Sequence, residues 1–323
     1  MKKIFLYSLV FAAAGLMFTS CSDDDLDNKS IIVGNTTTET PFDKWLTSNY
    51  VEPYNIQFLW RYNHNETNMQ YYNIPADYNQ AVELAHIVKY CCMEAYDRVA
   101  GIDFTRTYFP KMLYATGEFE YENNGTMILG TAEGGKKIFL AGTNHLDAVI
   151  TGSGDNTIDA SNVSDLESRR YYLNEFFLKT IHHEFTHIMN QTKDIPTEFR
   201  QVTGSTYISD SWSTTKEDPL THGYITAYSR SSYTEDFAEM LSTYVCNTPE
   251  QWQKWLTEAG KGVASSNSSE LTGAAAIQQK LEIVRTYMKQ YFNIDIDDLR
   301  TEILRREGDV LNGYVNLTDL TVK

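Results

Sequence analysis

The segment IHHEFTHIMN at residues 181–190 places polar, metal-capable side chains within a stretch that is otherwise largely apolar. Its apolar members recur with the spacing of a buried helix: Ile181, Phe185, Ile188 and Met189. His183 and His187 are four residues apart, so they face the same way on a helix with Cβ atoms about 6 Å apart. Because imidazoles on a stripe of core residues need a partner, this segment predicts a helix built around a metal ion.

Glu184 completes the pattern H-E-x-x-H within this helix. In such a site two neutral imidazoles bind Zn²⁺, and the intervening glutamate is the general base for a water molecule. The alternative interpretation is a buried polar cluster without a metal. The pattern alone favours one zinc ion per chain, with His183 and His187 as ligands and Glu184 as a catalytic residue.

The third ligand is not supplied by the same helix. A metzincin continues the motif as HExxHxxGxxH, but here Asn190 stands at the glycine position and Lys193 at the last histidine position. That class is therefore excluded, and a ligand has to come from elsewhere in the chain.

The segment EDFAE at residues 235–239 offers that ligand on a predicted helix over about 234–245. Glu235 and Glu239 are four residues apart, so one can bind the metal while the other accepts a hydrogen bond from a ligand histidine. We predict Glu235 as the third ligand and Glu239 as the supporting residue. Asp236 is the alternative ligand, on a different face of the helix.

Tyr228 lies seven residues before Glu235, which gives the order H-E-F-x-H, then Y-x6-E-x-F-A-E. This order resembles the catalytic region of anthrax lethal factor and related gluzincins. The resemblance implies that the hydroxyl of Tyr228 faces the zinc and stabilises the oxyanion. Tyr224 is the alternative for this role.

The whole chain from about Pro41 is similar to a group of Bacteroidetes lipoproteins, the substrate import-associated zinc metallohydrolases of a zinc-binding metallopeptidase family. The similarity is carried by FDKWLTSNYVEPYNIQFLWRY, HHEFTH and GYITAYSRSSYTEDFAEM. It implies an association with a TonB-dependent transporter and its surface lipoprotein, and it leaves the substrate open.

The N-terminus predicts export. Residues 1–20 combine the basic MKK with an apolar run and small residues, which is typical of a lipoprotein signal peptide ending before a lipidated Cys21. An ordinary secretory signal with a stray cysteine is the alternative. Residues 21–40 are acidic and Thr-rich, which predicts a tether, and the SDDDLD run resembles the export tag of surface lipoproteins. We therefore expect an outer-membrane lipoprotein that faces the cell exterior.

The composition limits the partners. The formal net charge of −16 argues against nucleic acid as a ligand, because nucleic-acid binding requires clustered Lys and Arg. With Cys21 taken by lipid, three cysteines remain, and we predict that Cys91, Cys92 and Cys246 are buried small hydrophobes rather than a metal set.

The remaining pattern predicts a mixed α+β, zincin-like metallopeptidase fold over residues 41–323. We expect a helix over 77–99, sheet within 104–150 with a hairpin turn at Gly134 and Gly135, and a helix capped by Ser164 and Glu167 that runs into HEFTH. Residues 194–233 are expected to form a loop in front of the site. Helices from Pro249, at 272–291 and at 295–307 make the C-terminal part mainly helical, with a twisted sheet beside the HEFTH helix.

These features predict a surface-anchored zinc metallopeptidase that hydrolyses peptide bonds in a peptide or glycopeptide. An amidase or deacetylase acting on glycoconjugates would use the same site. The alternative from another class is a catalytically idle zincin that binds a ligand for a glycan or peptide importer, which would not need Glu184 as a base.

Overall fold

The computed structural model describes residues 38–123, 125–133, 136–204, 206–262, 264 and 271–322. The chain from Pro41 onward forms one compact unit. The predicted signal peptide, Cys21 and the tether as far as residue 37 lie outside the described residues, as do Gly134 and Gly135 of the predicted hairpin turn. Among the helices that are described, none combines the length and the apolar character needed to cross a bilayer.

Helices make up most of the fold. Their bounds are α1 Pro41–Leu46, α2 Glu52–Tyr54, α3 Tyr78–Ile87, α4 Glu94–Ala100, α5 Ile102–Tyr108, α6 Leu146–Thr151, α7 Leu166–Leu173, α8 Lys179–Thr192, α9 Thr197–Thr203, α10 Tyr233–Cys246, α11 Pro249–Ala259, α12 Gly273–Phe292 and α13 Ile296–Leu311. Three π-helical segments join consecutive helices without a break: Thr47–Val51, Val88–Met93 and Asn174–Leu178. The helices predicted over 77–99, near 234–245 and along the C-terminal part are confirmed, with ends that move by a few residues.

The sheet is small and lies beside the HEFTH helix. Its strands are β1 Gln57–Leu59, β2 Met112–Ala115, β5 Gly130–Glu133 and β6 Lys137–Leu140, in the order β1-β2-β6-β5, and a separate pair joins β3 Glu120–Tyr121 to β4 Met127–Ile128. β5 runs antiparallel to β6 and forms one edge of the sheet. Gly130 allows β5 to approach α8 closely, because a Cβ there would lie 2.6 Å from Cγ2 of Thr180. The predicted α+β class is confirmed.

The helix that carries HEFTH begins with a different cap from the predicted one. Asp165, rather than Ser164, is the N-cap, and it forms a capping box with Ser168 rather than with Glu167. Ser164 has helical dihedral angles after the 3₁₀ turn Ala160–Val163, so its side chain is not in a cap position. The helix then continues through α7, the π segment and α8, and such π segments are frequent beside functional sites.

Two further expectations are wrong in part. Residues 102–108 and 146–151 form helices α5 and α6, although 104–150 was expected to be sheet. The expected loop at 194–233 contains the helix Thr197–Thr203 and short 3₁₀ turns.

The three described cysteines are buried free thiols, as predicted for Cys91, Cys92 and Cys246. They pack within the main hydrophobic core, and none belongs to the group of side chains that could hold a metal.

Asp236 does not face the metal site, because it forms a buried ion pair that links α10 to α12. Its Oδ2 lies 2.6 Å from Nζ of Lys280, and both side chains are fully buried. Tyr207 also donates to Asp236, and the ammonium of Lys280 lies 3.9 Å from the centre of the Tyr224 ring. Burial raises the pKa of Asp236 to about 6, while the charge of Lys280 acts against that shift.

Replacing Lys280 by methionine is expected to lower the free energy of unfolding by about 3–5 kcal/mol, because it leaves Asp236 buried without its counter-charge. Chemical denaturation of the purified variant measures this change. A Lys261→Met variant, in which the lost lysine is largely exposed, should stay within about 0.5 kcal/mol of wild type. Adding Asp236→Asn to Lys280→Met should recover part of the loss, and a Lys280→Met protein as stable as wild type would contradict this assignment.

Candidate metal centre

Three ligand atoms meet between the middle of α8 and the first turn of α10. Nε2 of His183 and Nε2 of His187 are 3.1 Å apart, and each lies 3.0 Å from Oε2 of Glu235. These side chains form the group within the described residues that could hold a metal ion. The structure therefore brings the three predicted ligands together.

The first turn of α10 positions Glu235. Ser232 is the N-cap of this helix, and its hydroxyl accepts a hydrogen bond from the backbone N–H of Glu235 at 3.2 Å. The cap fixes where the helix begins, so Glu235 points toward α8 while Asp236 points into the core toward Lys280. This explains why Glu235, and not the alternative Asp236, joins the histidines.

The spacing of the ligand atoms fits zinc. Ligands about 2.0–2.1 Å from a tetrahedral zinc ion lie about 3.3 Å from one another, and the three separations here are 3.0–3.1 Å. Two imidazole nitrogens and one carboxylate oxygen are also a donor set that zinc accepts. The residues present therefore fit a zinc ion.

The electrostatics of the site favour a positive charge at the meeting point. Burial by itself would lower the pKa of His183, but its hydrogen bonds to Glu235 and Glu239 raise it to about 10. Burial would likewise raise the pKa of Glu235, but hydrogen bonds from His183 and His187 lower it to about 2. A metal cation would satisfy the same carboxylates.

Glu239 supports the ligands from behind, in the position predicted for it. Its Oε1 lies 2.8 Å from Nδ1 of His183, which directs Nε2 of that ring toward Glu235. Its Oε2 accepts a hydrogen bond from the hydroxyl of Thr226 at 2.7 Å and lies 3.1 Å from Nζ of Lys179. One buried carboxylate thus contacts two side chains of α8 and one of the irregular segment before α10.

Thr226 and Lys179 were not predicted from the sequence. Lys179 lies four residues before His183, so helical spacing alone could have placed it on the same face. For Thr226 no such signal exists, because its contact with Glu239 depends on the path of an irregular segment.

Glu184 stands beside the three ligands and faces the cleft. Burial raises the pKa of its carboxylate, and the nearby backbone N–H of Ala132 in β5 acts against that shift. It is not a member of the ligand group. The structure thus places Glu184 next to the three predicted ligands.

Tyr228 lies on the 3₁₀ turn Tyr228–Arg230 at the front of the site. Its ring centre is 5.9 Å from that of His183 and 5.0 Å from that of Trp212, and the carboxylate of Glu235 is close enough to raise the pKa of its hydroxyl. Burial and the nearby carboxylates raise its pKa, so the hydroxyl keeps its proton and can donate it. The alternative, Tyr224, is fully buried and bonds to Thr206, away from the ligands.

Three other histidines of the described residues have other partners. His182 is buried and lies 3.1 Å from the hydroxyl of Tyr96, and burial lowers its pKa to about 3. His145 lies between Asp155 and Glu118, and His222 lies 3.5 Å from Glu217. None of the three joins the ligand group among the described residues.

The site opens into a cleft of about 620 Å³. One wall is the strand segment 126–131, another is the helix from Tyr171 to Glu184, and the irregular segment with Trp212 and Tyr228 closes the front. The segment at 194–233 therefore does line the site, as expected.

An HExxH helix beside a small sheet, with a glutamate from a second helix completing the ligand group, defines the zincin class of proteins. The chain belongs to the family described as "Putative zinc-binding metallo-peptidase", whose model matches residues 35–297. A solved structure described as "a putative zinc-binding metallo-peptidase" from Bacteroides caccae is 32% identical, with a TM-score of 0.66 over 90% of this chain and 100% of that chain. No curated protein matches.

Proposed function

We propose that this protein is a zinc-dependent peptidase that hydrolyses peptide bonds. The observation that carries the proposal is the position of Glu184, beside three converging ligand atoms and at the opening of a cleft large enough for a peptide. A ligand-binding protein with an idle site would not need a buried carboxylate at that point.

His183, His187 and Glu235 would hold the metal. A zinc ion in such a site supplies Lewis acidity, which lowers the pKa of a water molecule and polarises the amide carbonyl. Glu184 takes the proton from the attacking water and delivers it to the leaving amine. Its carboxylate lines the cleft, and its raised pKa helps it to carry a proton between the two steps.

Tyr228 lies at the front of the site, and its hydroxyl donates a hydrogen bond to the oxyanion that forms on the carbonyl oxygen. The edge strand β5 supplies backbone groups along the cleft, since Gly130 and Thr131 line it. We infer that an extended substrate adds to this edge, which aligns its backbone with Glu184.

The test is a cleavage profile of the zinc-loaded protein against a broad peptide library, with products identified by mass spectrometry. We expect cleavage that stops when a chelator removes the zinc and returns when zinc is added. Cleavage of N-acyl glycoconjugates without peptide cleavage would favour the amidase alternative. Binding without any cleavage would favour the accessory ligand-binding protein.

Tyr228→Phe removes the hydroxyl and keeps the ring against Trp212. We expect kcat to fall on the order of 10²-fold while KM changes much less, because the hydroxyl acts on charge that develops only in the transition state. Steady-state kinetics on the best library peptide measure both values. A Tyr224→Phe variant serves as the matched control, and a kcat of Tyr228→Phe equal to wild type would remove this residue from the mechanism.

We also propose that residues 1–20 are a signal peptide, that residues 21–40 tether the domain, and that lipidated Cys21 anchors the protein in the outer membrane, facing the cell exterior. The basis is the sequence pattern around Cys21 and SDDDLD. Fractionation and protease treatment of intact cells should find the wild-type protein with membranes and accessible, and a Cys21→Ala protein in the soluble fraction. A Cys21→Ala protein that stays with membranes would refute the anchor.

A TonB-dependent transporter and its surface lipoprotein are the proposed partners, on the basis of the family resemblance alone. Affinity purification of the tagged, full-length lipoprotein from its native membrane tests this association.

A further inference from the structure

The cleft extends from the metal centre along the HEFTH helix, and His183 and Glu184 line it. From Glu184 it follows the helix toward its N-terminus and reaches Asn174 and the C-terminal end of α10. A substrate whose scissile bond lies at Glu184 would therefore place a neighbouring side chain in this extension.

The far end of the cleft contains two buried oxygens without a hydrogen-bond partner among the described residues. Asn174 is 3% exposed; its Nδ2 donates to the carbonyl of Cys246 at 2.7 Å, and its Oδ1 accepts no hydrogen bond. Thr243 is 2% exposed, and its Oγ1 is likewise unpartnered. Because buried polar atoms are normally satisfied, this end of the cleft is suited to a ligand group that carries N–H donors.

The charge of the cleft is negative. Its Asp, Glu, Lys and Arg lining residues are four glutamates and one lysine: Glu122, Glu175, Glu184, Glu239 and Lys179. The lysine is already engaged, since Nζ of Lys179 lies 3.1 Å from Glu239 and 3.7 Å from Glu175. With Glu235 included, the carboxylates outnumber the positive charges even when a zinc ion is counted. An acidic ligand group would be repelled here, and a cation would be attracted.

The walls beside these acceptors are aromatic. Tyr171 lies four residues before Glu175, on the same face of the helix, and Trp255 of α11 also lines the cleft. Aromatic faces pack against the aliphatic stem of a long side chain and attract a flat guanidinium.

We propose that this extension is a specificity pocket for a basic side chain, arginine in preference to lysine, at a residue flanking the scissile bond. Arginine is favoured because its planar fork presents five N–H donors to the acceptors of this lining, whereas the lysine ammonium is a single point. This inference rests on the proposed peptidase function and names the substrate class for it.

The test compares blocked peptides that differ only at the two positions flanking the cleaved bond, each carrying Arg, Lys, Gln, Leu or Glu. At one position we expect Arg to exceed Leu by at least about 10-fold in kcat/KM, with Lys between them and Glu lowest. Glu175→Gln and Thr243→Val should each reduce the Arg-over-Leu ratio, Glu175→Gln by about 10-fold. Glu198→Gln removes a carboxylate outside the cleft and should leave the ratio unchanged. Thermal melts establish that each variant is folded.

Two kinetic results would contradict the proposed specificity pocket. The first is an equal kcat/KM for the Arg and Leu peptides at both positions. The second is a preference for the Gln peptide that Glu175→Gln does not alter. Calorimetric binding of the same peptides to zinc-loaded Glu184→Gln provides an independent measurement. If the wild-type protein cleaves no peptide, the peptidase proposal fails, but the binding measurement still tests the specificity pocket. Tighter binding of the Arg peptide than of the Leu peptide supports the pocket. No difference between peptides, or binding of oligosaccharides in their place, rejects it.

Discussion

Glu184→Gln is expected to keep its zinc and its fold and to lose at least about 10²-fold in kcat. The carboxylate is not among the three ligand atoms, so its replacement leaves the metal centre intact. Glutamine has nearly the same shape and can still contact the backbone of Ala132, but it cannot accept the proton of the attacking water. The loss should therefore appear in the chemical step rather than in substrate binding.

Zinc content by mass spectrometry and steady-state kinetics on one peptide measure both halves of this expectation. Glu198→Gln, the same substitution on the exposed face of α9, is the control and should match wild type. If Glu184→Gln cleaves the peptide as fast as wild type, the general-base mechanism is wrong. A loss of zinc in this variant would instead make Glu184 a ligand.

His187→Ala is expected to lose the zinc ion, of which the wild-type protein should bind about one per chain. The remaining His183 and Glu235 offer two ligand atoms, too few for a stable tetrahedral site with protein ligands. Glu235→Ala should lose metal affinity for the same reason. Because zinc binds the neutral form of the histidines and the pKa of His183 is raised to about 10, protons compete for this ligand, and wild-type affinity should fall as the pH is lowered below about 10.

Competition with a chromophoric chelator measures the zinc affinity of each variant. His182→Ala is not expected to change the stoichiometry, because that ring is directed at Tyr96 rather than at the ligand group. Folded wild-type protein that takes up no zinc after reconstitution would falsify the assignment of the metal centre.

The site was more predictable from sequence than the sheet, and the difference has a physical origin. His183, Glu184 and His187 lie within one helical turn, so spacing alone determines their geometry. Glu235 and Tyr228 followed from residue order and from resemblance. Thr226 could not be found in that way, because no local rule predicts which hydroxyl an irregular segment presents to a carboxylate.

The segment at residues 104–108 shows why the predicted sheet was too long. Phe104, Thr105 and Tyr108 have high β-propensity, yet they form the helix α5. Phe104 packs against Phe185 of the site helix, with ring centres 5.9 Å apart, so tertiary packing overrides the local preference. The choice of Asp165 over Ser164 as a cap has a similar cause, since the preceding 3₁₀ turn determines which residue is free to cap.

Glu239 makes metal occupancy and the geometry of the catalytic turn mutually dependent. The carboxylate that holds His183 also accepts the Thr226 hydroxyl, and Thr226 in turn accepts the backbone N–H of Ser229 within the turn that carries Tyr228. Thermodynamic linkage is reciprocal. If zinc binding favours the ordered turn by some factor, ordering of the turn increases the affinity for zinc by the same factor. A ligand that binds against Tyr228 would thus increase the affinity of the site for zinc, and loss of zinc would make the turn that carries Tyr228 less ordered.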